Sequence, residues 1–406
     1  MDILITGPKL PIKGKELRIS GSKSESNRLL ILQALFPNVK LRNVSDADDV
    51  LAMKEGLNTT ANLIDVHHAG TTMRFLTAFT ASRPGKDVVL TGSSRMKERP
   101  IKILVEALNN MGAQISYLEE EGYPPLQITG SKLMESEVSL PADVSSQYIS
   151  ALILIAPSLH DGLTLTLKGE ITSRPYINMS LQLLSRLGIP FSFDGNQIRI
   201  EPCEAVNTTE MVVESDWSSA SYYYSLMALS EPGSSISLAS YREDSLQGDR
   251  EVASMYEALG VHTEFVDGSI HLVKTDSKQP SSLILDLRDT PDLAQTLTVS
   301  CFGLGIGCEL SGLHTLRIKE TDRLEALRVE LGKLGANISI TDSSLNLRPS
   351  VHSGAEVSIA TYKDHRMAMA FAPLALLYPI RIEDADVVSK SYPGFWEDLS
   401  TLGFRL

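Results

Sequence analysis

An α/β fold of two domains, each made of three copies of a βαβαββ unit with buried helices, is predicted by three features of the sequence. Six times a small-polar or charged tip opens directly into an apolar, helix-like run. With Ser24, Thr72, Ser146, Ser218, Pro291 and Asp364 as markers, the steps between tips are 48, 74, 72, 73 and 73 residues. So regular a recurrence marks one structural unit used six times, its first copy truncated. Later in most copies a second helical pattern ends in Leu-Gly or Met-Gly and is followed by a short strand, a turn and another strand.

The elements follow in order. Ile3–Ile5 reads as an opening strand and is assigned to the second domain, so that the chain crosses twice between domains and makes a hinge. The tips Ser22-Lys23-Ser24, Gly70-Thr71-Thr72 and Ser145-Ser146-Gln147 precede apolar runs at 29–35, 73–79 and 148–156. Trp217-Ser218-Ser219, Thr290-Pro291-Asp292 and Asp364-His365-Arg366 precede runs at 222–229, 293–304 and 367–377. Helices apolar nearly all round belong in an interior. The second helices are amphipathic: residues 322–334 put Leu324, Leu327, Leu331 and Leu334 on one stripe. Gly112, Gly188, Gly260 and Gly335 close these helices, as expected of caps that need a left-handed backbone. Asp194-Gly195-Asn196, Asp267-Gly268-Ser269 and Asp342-Ser343-Ser344 read as hairpin turns. In the first copy the chain runs from Asn58 straight to His67-His68, and about 25 residues of hairpin are missing by the repeat spacing. The domains are drawn as 14–215 and 1–13 with 216–406, with the break where the fourth copy begins.

At 406 residues the chain is too long for one ordinary core. Its 43% hydrophobic and 21% charged residues are those of a globular protein. The longest apolar run, 149–157, is far short of the roughly 18–20 residues that span a bilayer. No basic start with a long apolar core opens the chain, so a cytoplasmic location is expected. Cys203, Cys301 and Cys308 have no metal-ligand spacing and are odd in number; the last two, in an apolar segment, read as buried thiols. A net charge of −13 opposes nucleic-acid binding, yet basic side chains gathered in one cleft could still hold small anions.

The tips supply such a gathering. The first amides of a helix are unpaired and its dipole favours negative charge there. Ser22-Lys23-Ser24 with Asn27-Arg28 adds an ammonium and a guanidinium. Lys319-Glu320-Thr321-Asp322-Arg323 places both charge signs within one turn, with Thr321 or Asp322 as cap, and suits a carboxyl group working as acid or base among cations. Asp364 caps a helix headed by His365 and Arg366. Arg99 stands before a proline expected at a helix N1 position, and Arg174-Pro175 has the same form. Lys390 lies in what reads as a loop.

These strings resemble the enolpyruvyl transferase family. They are Gly21-Ser22-Lys23-Ser24-Glu25-Ser26-Asn27-Arg28, Ala69-Gly70-Thr71-Thr72-Met73-Arg74, Glu98-Arg99-Pro100-Ile101, Ser145-Ser146-Gln147-Tyr148 and Ser173-Arg174-Pro175-Tyr176. Thr290-Pro291-Asp292, Lys319-Glu320-Thr321-Asp322-Arg323, Asp364-His365-Arg366-Met367-Ala368-Met369 and Ser389-Lys390-Ser391-Tyr392-Pro393 complete them. Nine strings in order along nearly the whole chain make the resemblance specific. It implies two inside-out α/β domains closing on substrates at a hinge. It implies transfer of the enolpyruvyl group of phosphoenolpyruvate to the 5-hydroxyl of shikimate 3-phosphate through a tetrahedral intermediate, as a monomer, with no metal and no organic cofactor, and no nucleic-acid or membrane partner. The Gly70 loop implies inhibition by glyphosate, an analogue of the phosphoenolpyruvate part.

Position by position, the resemblance implies that Lys23, Asp292 and Glu320 are catalytic, with Lys23 bridging both substrates. It puts Ser24, Arg28, Ser145, Ser146, Gln147, Ser173, Tyr176, Asp292 and Lys319 on shikimate 3-phosphate. It puts Gly70, Arg99, Gln147, Arg323, His365, Arg366 and Lys390 on phosphoenolpyruvate. Relatives commonly carry Asn-Ala where this chain has His68-Ala69, asparagine at Thr315 and proline at Ser20. Three other readings are an enzyme of the same architecture acting on UDP-N-acetylglucosamine, a nucleic-acid-end enzyme of similar repeated fold, which the acidity opposes, and an anion-binding scaffold inactivated by the shortened first copy. The first typically shows Lys-Asn at Lys23-Ser24 and a cysteine in the loop that here reads Ser94-Arg95-Met96-Lys97-Glu98.

Overall fold

In the computed structural model, which describes residues 1–142, 145–354 and 357–406, the chain divides into two units. One is Gly21–Val213; the other joins Met1–Ser20 to Glu214–Leu406.

In the first unit the helices are α1 (Lys23–Leu35), α2 (Asp48–Asn58), α3 (Gly70–Ala81), α4 (Ser94–Lys97), α5 (Lys102–Asn110), α6 (Ser146–Ile155) and α7 (Arg174–Arg186). Leu63–Asp65 lies parallel to Asp87–Thr91, which pairs antiparallel with Leu126–Thr129, and that strand with Gln114–Tyr117. Glu137–Pro141, Leu163–Lys168, Gln197–Ile200 and Phe191–Asp194 repeat the same order and directions. Each parallel pair is joined through a buried helix, α3 or α6, because parallel strands need a long crossover. The first copy departs: Val39–Arg42 pairs only with Thr209–Val212, in a two-stranded sheet. After α2 the chain goes directly to Leu63–Asp65, so the missing hairpin has no replacement.

The second unit holds α8 (Trp217–Leu229), α9 (Val252–Glu257), α10 (Ala294–Gly303), α11 (Arg323–Lys333), α12 (His365–Phe371) and α13 (Phe395–Thr401). Its first sheet runs Lys15–Leu17, Ser235–Ala239, Ser269–Lys274, Val261–Val266, and its second Ser282–Asp286, Gly307–Ser311, Leu345–Arg348, Asn337–Ile340. Ser358–Ile359 pairs with Ile380–Ile382, and that strand with the opening strand Ile3–Ile5. The boundary differs from 14–215. Lys15–Leu17 is held by backbone pairing to Ser235–Ala239, and the Ser215 hydroxyl donates to the Ile19 carbonyl at 2.7 Å. The crossings therefore fall at 20/21 and 213/214.

The cores are those the periodicity marks. Leu324, Leu327, Leu331 and Leu334 are buried, as are Cys301 and Cys308. In α8, Trp217, Tyr222, Tyr223 and Tyr224 are all buried; the Tyr223 hydroxyl meets that of Tyr392 at 2.8 Å and Tyr224 meets Thr263 at 2.9 Å, as buried phenols require. The four helix-closing glycines all have positive φ, from +78° to +102°. Two expectations shift. Pro100 is not at N1: α5 starts at Lys102 with Ile101 as its cap. The run at 367–377 is α12 followed by a 3₁₀ turn, Ala372–Leu376, because Pro373 has no N–H to continue the α ladder.

Candidate active site

In the first unit the helix starts are tied to one another. Ser22 caps α1, accepting from the Glu25 amide at 3.5 Å, and Ser145 caps α6, accepting from the Gln147 amide at 3.4 Å. Lys23 Nζ lies 2.9 Å from Asp49 Oδ2, at the start of α2. The Thr72 hydroxyl donates to the Asp49 carbonyl at 2.8 Å, and Gln147 Nε2 donates to Thr71 Oγ1 at 3.2 Å. These bonds link α1, α2, α3 and α6 within one turn of their tips. Ser24 and Ser146 stand beside their caps, half-buried.

Arg28 is a strut among these helices. It is 2% exposed and donates to Ser180 Oγ, the Ser24 carbonyl, Ser150 Oγ and the Tyr176 carbonyl at 2.8–3.2 Å. Its guanidinium lies 5.4 Å from the Phe75 ring centroid and 5.9 Å from that of Tyr176. Burial pulls its pKa down to about 10, so it is charged at neutral pH. Ser173, before α7, is left-handed at φ 53°, a conformation that costs a non-glycine residue energy and gathers at functional sites.

Gly70 opens α3 against Arg99. A Cβ at Gly70 would sit 2.5 Å from Arg99 Nη1 and 2.9 Å from its Cζ, so the glycine lets the guanidinium rest on the helix start. Arg74 braces the same corner, donating to the Gly70 carbonyl at 3.2 Å and the Pro100 carbonyl at 2.8 Å.

In the second unit the charged groups are packed around Arg323, itself 2% exposed. Its Nε donates to Asp364 Oδ2 at 2.7 Å, Nη1 to Asp292 Oδ1 at 2.8 Å and Nη2 to Glu320 Oε2 at 2.9 Å. Arg366 Nη2 reaches Asp292 Oδ2 at 2.9 Å, and Lys319 Nζ lies 3.7 Å from Asp292 Oδ1. Asp322 caps α11 and Asp364 caps α12, so the second of the two caps considered for α11 is the one used. Tyr362 and Lys363, just before the Asp364 cap, are both left-handed, and Lys390 Nζ donates to the Lys363 carbonyl at 2.6 Å. His365 is buried beside Asp364.

Ionisation follows from these contacts. Burial by itself would raise the Asp292 carboxyl, but Arg366, Lys319 and Arg323 outweigh it and hold it far below the usual carboxylate range. Burial would lower Arg323, but Asp364, Glu320 and Asp292 more than offset that and raise it. Asp249 goes the other way: burial, with Asp292 nearby, pushes it up to about 7.

The structure brings Asp292, Lys319, Glu320, Arg323 and Arg366 into one cluster and adds two residues to which the sequence assigned no site role. Ser218 accepts from Arg366 Nη2 at 3.3 Å and donates to Asp249 Oδ2, so the fourth tip joins the charged cluster. Asp249 lies in a 3₁₀ turn, Gly248–Glu251, with no periodic signal around it. In the first unit Asp49, in the first turn of α2, is likewise marked only by its partner Lys23. No helix among the described residues is long and apolar enough to cross a membrane.

A family model described as EPSP synthase (3-phosphoshikimate 1-carboxyvinyltransferase) matches residues 56–399. The chain is 47% identical over 394 residues to a 3-phosphoshikimate 1-carboxyvinyltransferase of Bacteroides fragilis, covering 96% of this chain and 95% of the relative. It is 35% identical over 433 residues to the enzyme of that name from Photobacterium damsela subsp. piscicida, covering 99% and 100%. A solved structure of EPSP synthase from Acinetobacter baumannii superposes with a TM-score of 0.77 at 21% identity, covering 100% of this chain and 99% of the other.

Proposed function

Since the chain belongs to the EPSP synthase family, whose reaction is enolpyruvyl transfer from phosphoenolpyruvate to shikimate 3-phosphate, we propose how its own residues divide that work. Lys23, Ser24, Arg28, Ser145, Ser146, Gln147, Ser173, Tyr176, Asp292 and Lys319 serve the sugar phosphate. Gly70, Arg99, Arg323, His365, Arg366 and Lys390 serve phosphoenolpyruvate, with Lys23 and Gln147 contributing to both. The observation that carries this reading is the Arg323 cluster: three carboxylates and two further cations meet at the starts of α11 and α12 and the turn before α10.

The cluster suggests a sequence of events. Without substrate, Asp292 and Glu320 occupy the cations. Asp292, held so low, is a weak base. The anionic groups of phosphoenolpyruvate compete for Arg366 and Arg323, and as they take these partners Asp292 becomes basic enough to accept the proton of the 5-hydroxyl. That oxygen adds to C2 of phosphoenolpyruvate while Glu320, protonated from solvent once the substrate has drawn Arg323 away from it, gives that proton to C3, forming the tetrahedral intermediate. Glu320 then takes a proton back from C3, the C2–phosphate bond breaks, and the proton on Asp292 leaves with the phosphate. Fixed cations around developing negative charge are the efficient form of such catalysis.

We also infer two inside-out domains of three repeats each, a monomer, and a cytoplasmic setting; the common sheet order and the charge of −13 support these. The acceptor tests the reading. Phosphate release from phosphoenolpyruvate is expected with shikimate 3-phosphate and not with UDP-N-acetylglucosamine. Release with the nucleotide sugar alone would refute the assignment, and release with neither would favour a non-catalytic scaffold.

A further inference from the structure

The truncation of the first repeat opens a cleft in the first unit. In the second repeat, the segment after the hairpin seals the far ends of both helices: Ser131 donates to the carbonyl of Ala81, the last residue of α3, Gly130 to the Lys86 carbonyl beyond it, and Met134 to Met111 at the end of α5. In the third repeat, Cys203 donates to Pro157 and Glu201 to Pro190 in the same way. The first repeat has no such segment. Where it would lie is a cleft of about 650 Å³ between the C-terminal ends of α1, α2 and α3.

The lining has a definite chemistry. Leu30, Leu57 and Phe79 supply apolar walls, and Lys54, Arg83 and Lys86 supply three cations; no Asp or Glu lines it among the described residues. In a chain of net charge −13 that is against the average. The Arg83 guanidinium lies 5.1 Å from the Phe79 ring centroid, and its Nε and Nη2 are buried with no acceptor. Cations placed only to satisfy helix-end carbonyls would be donating to them. A buried guanidinium nitrogen without a partner is costly, so Arg83 is held at the cleft wall at a cost that no contact among the described residues offsets. The volume lies within the range of about 300–1,000 Å³ typical of small-molecule sites.

We propose that this cleft is a second ligand site, taking a small organic carboxylate whose apolar body lies against Leu30, Leu57 and Phe79 while its carboxylate meets Arg83 and Lys54. Cations of Arg83 and Lys54 on one lining suit a carboxylate, and the apolar walls set aside a bare inorganic ion. The proposal does not depend on how the catalytic residues divide their work.

The test uses the full chain saturated with shikimate 3-phosphate, titrated with 3-phenylpropanoate by calorimetry and by amide chemical shifts. Saturable binding is expected, with shifts at the ends of α1, α2 and α3. Both 3-phenylpropan-1-ol and inorganic phosphate should bind at least 10-fold more weakly. Arg83→Gln and Lys54→Gln should each weaken binding about 5- to 50-fold while leaving turnover at wild-type level. No saturable binding overturns the proposal. So does equal binding of the alcohol, equal binding of phosphate, or unchanged affinity in both variants.

Discussion

Two residues show how local contacts set behaviour. At Gly70 a methyl group cannot be accommodated without moving Arg99, since its carbon would sit 2.5 Å from Nη1. Gly70→Ala should therefore raise KM for phosphoenolpyruvate about 10- to 100-fold, the effect of misplacing one binding cation by about an ångström; steady-state kinetics with the wild-type KM retained would refute the Gly70–Arg99 assignment. At Asp249 the issue is a proton. Its folded value of about 7 stands above the ordinary 3.8, so between those limits the folded chain holds a proton that the unfolded chain releases. Stability then falls as pH rises from about 4 to about 7 and levels off above that. Asp249→Asn keeps an acceptor for Ser218 and removes the penalty. Urea melts should show it more stable than wild type by roughly 1–3 kcal/mol at pH 8 and indistinguishable near pH 4. A gain of equal size at both pH values would contradict a protonated Asp249. Neither Asp249 nor Asp49 was legible in the sequence, because a carboxylate announces its role only through partners that lie far off in the chain: Ser218 and Arg366 for one, Lys23 for the other.

Helices and their ends were far more legible, since their signals are local. The spacing of apolar residues placed α1, α3, α6 and α8, and the glycine after each amphipathic helix placed its end. Gly188 gives that signal in isolation: φ is +80° and nothing lies within 4 Å of where a Cβ would be. Gly188→Ala should cost about 1 kcal/mol, the strain of a left-handed non-glycine residue alone, read as a lowered unfolding midpoint with unchanged kinetics. A cost near zero would mean the helix end relaxes out of the left-handed form. What the local signals misjudged was Pro100, whose place before α5 is set by its carbonyl receiving Arg74 and the Tyr148 hydroxyl, contacts 26 and 48 residues away. They also misjudged the boundary at 13/14, because the strand Lys15–Leu17 is only three residues long and its partner lies beyond residue 234.

At the scale of the whole chain, an acidic protein concentrates cations at a few helix starts, and the recurrence of about 73 residues tells where. Arg28, Arg74, Arg323 and Arg366 are all buried, which in a chain of net charge −13 is intelligible only if each is held by specific acceptors, carboxylates or carbonyls, or by the substrate's own anions. The shortened first repeat removes two strands and leaves this arrangement in place, because the tips it carries are fixed by bonds among α1, α2, α3 and α6 rather than by the missing hairpin. The most direct test of the account is the rate of shikimate 3-phosphate-dependent phosphate release in Lys23→Met and Glu320→Gln, measured beside their thermal midpoints. Loss of about 10²–10⁴ in kcat with midpoints within a few degrees of wild type is the predicted result. Wild-type turnover in both variants would contradict it.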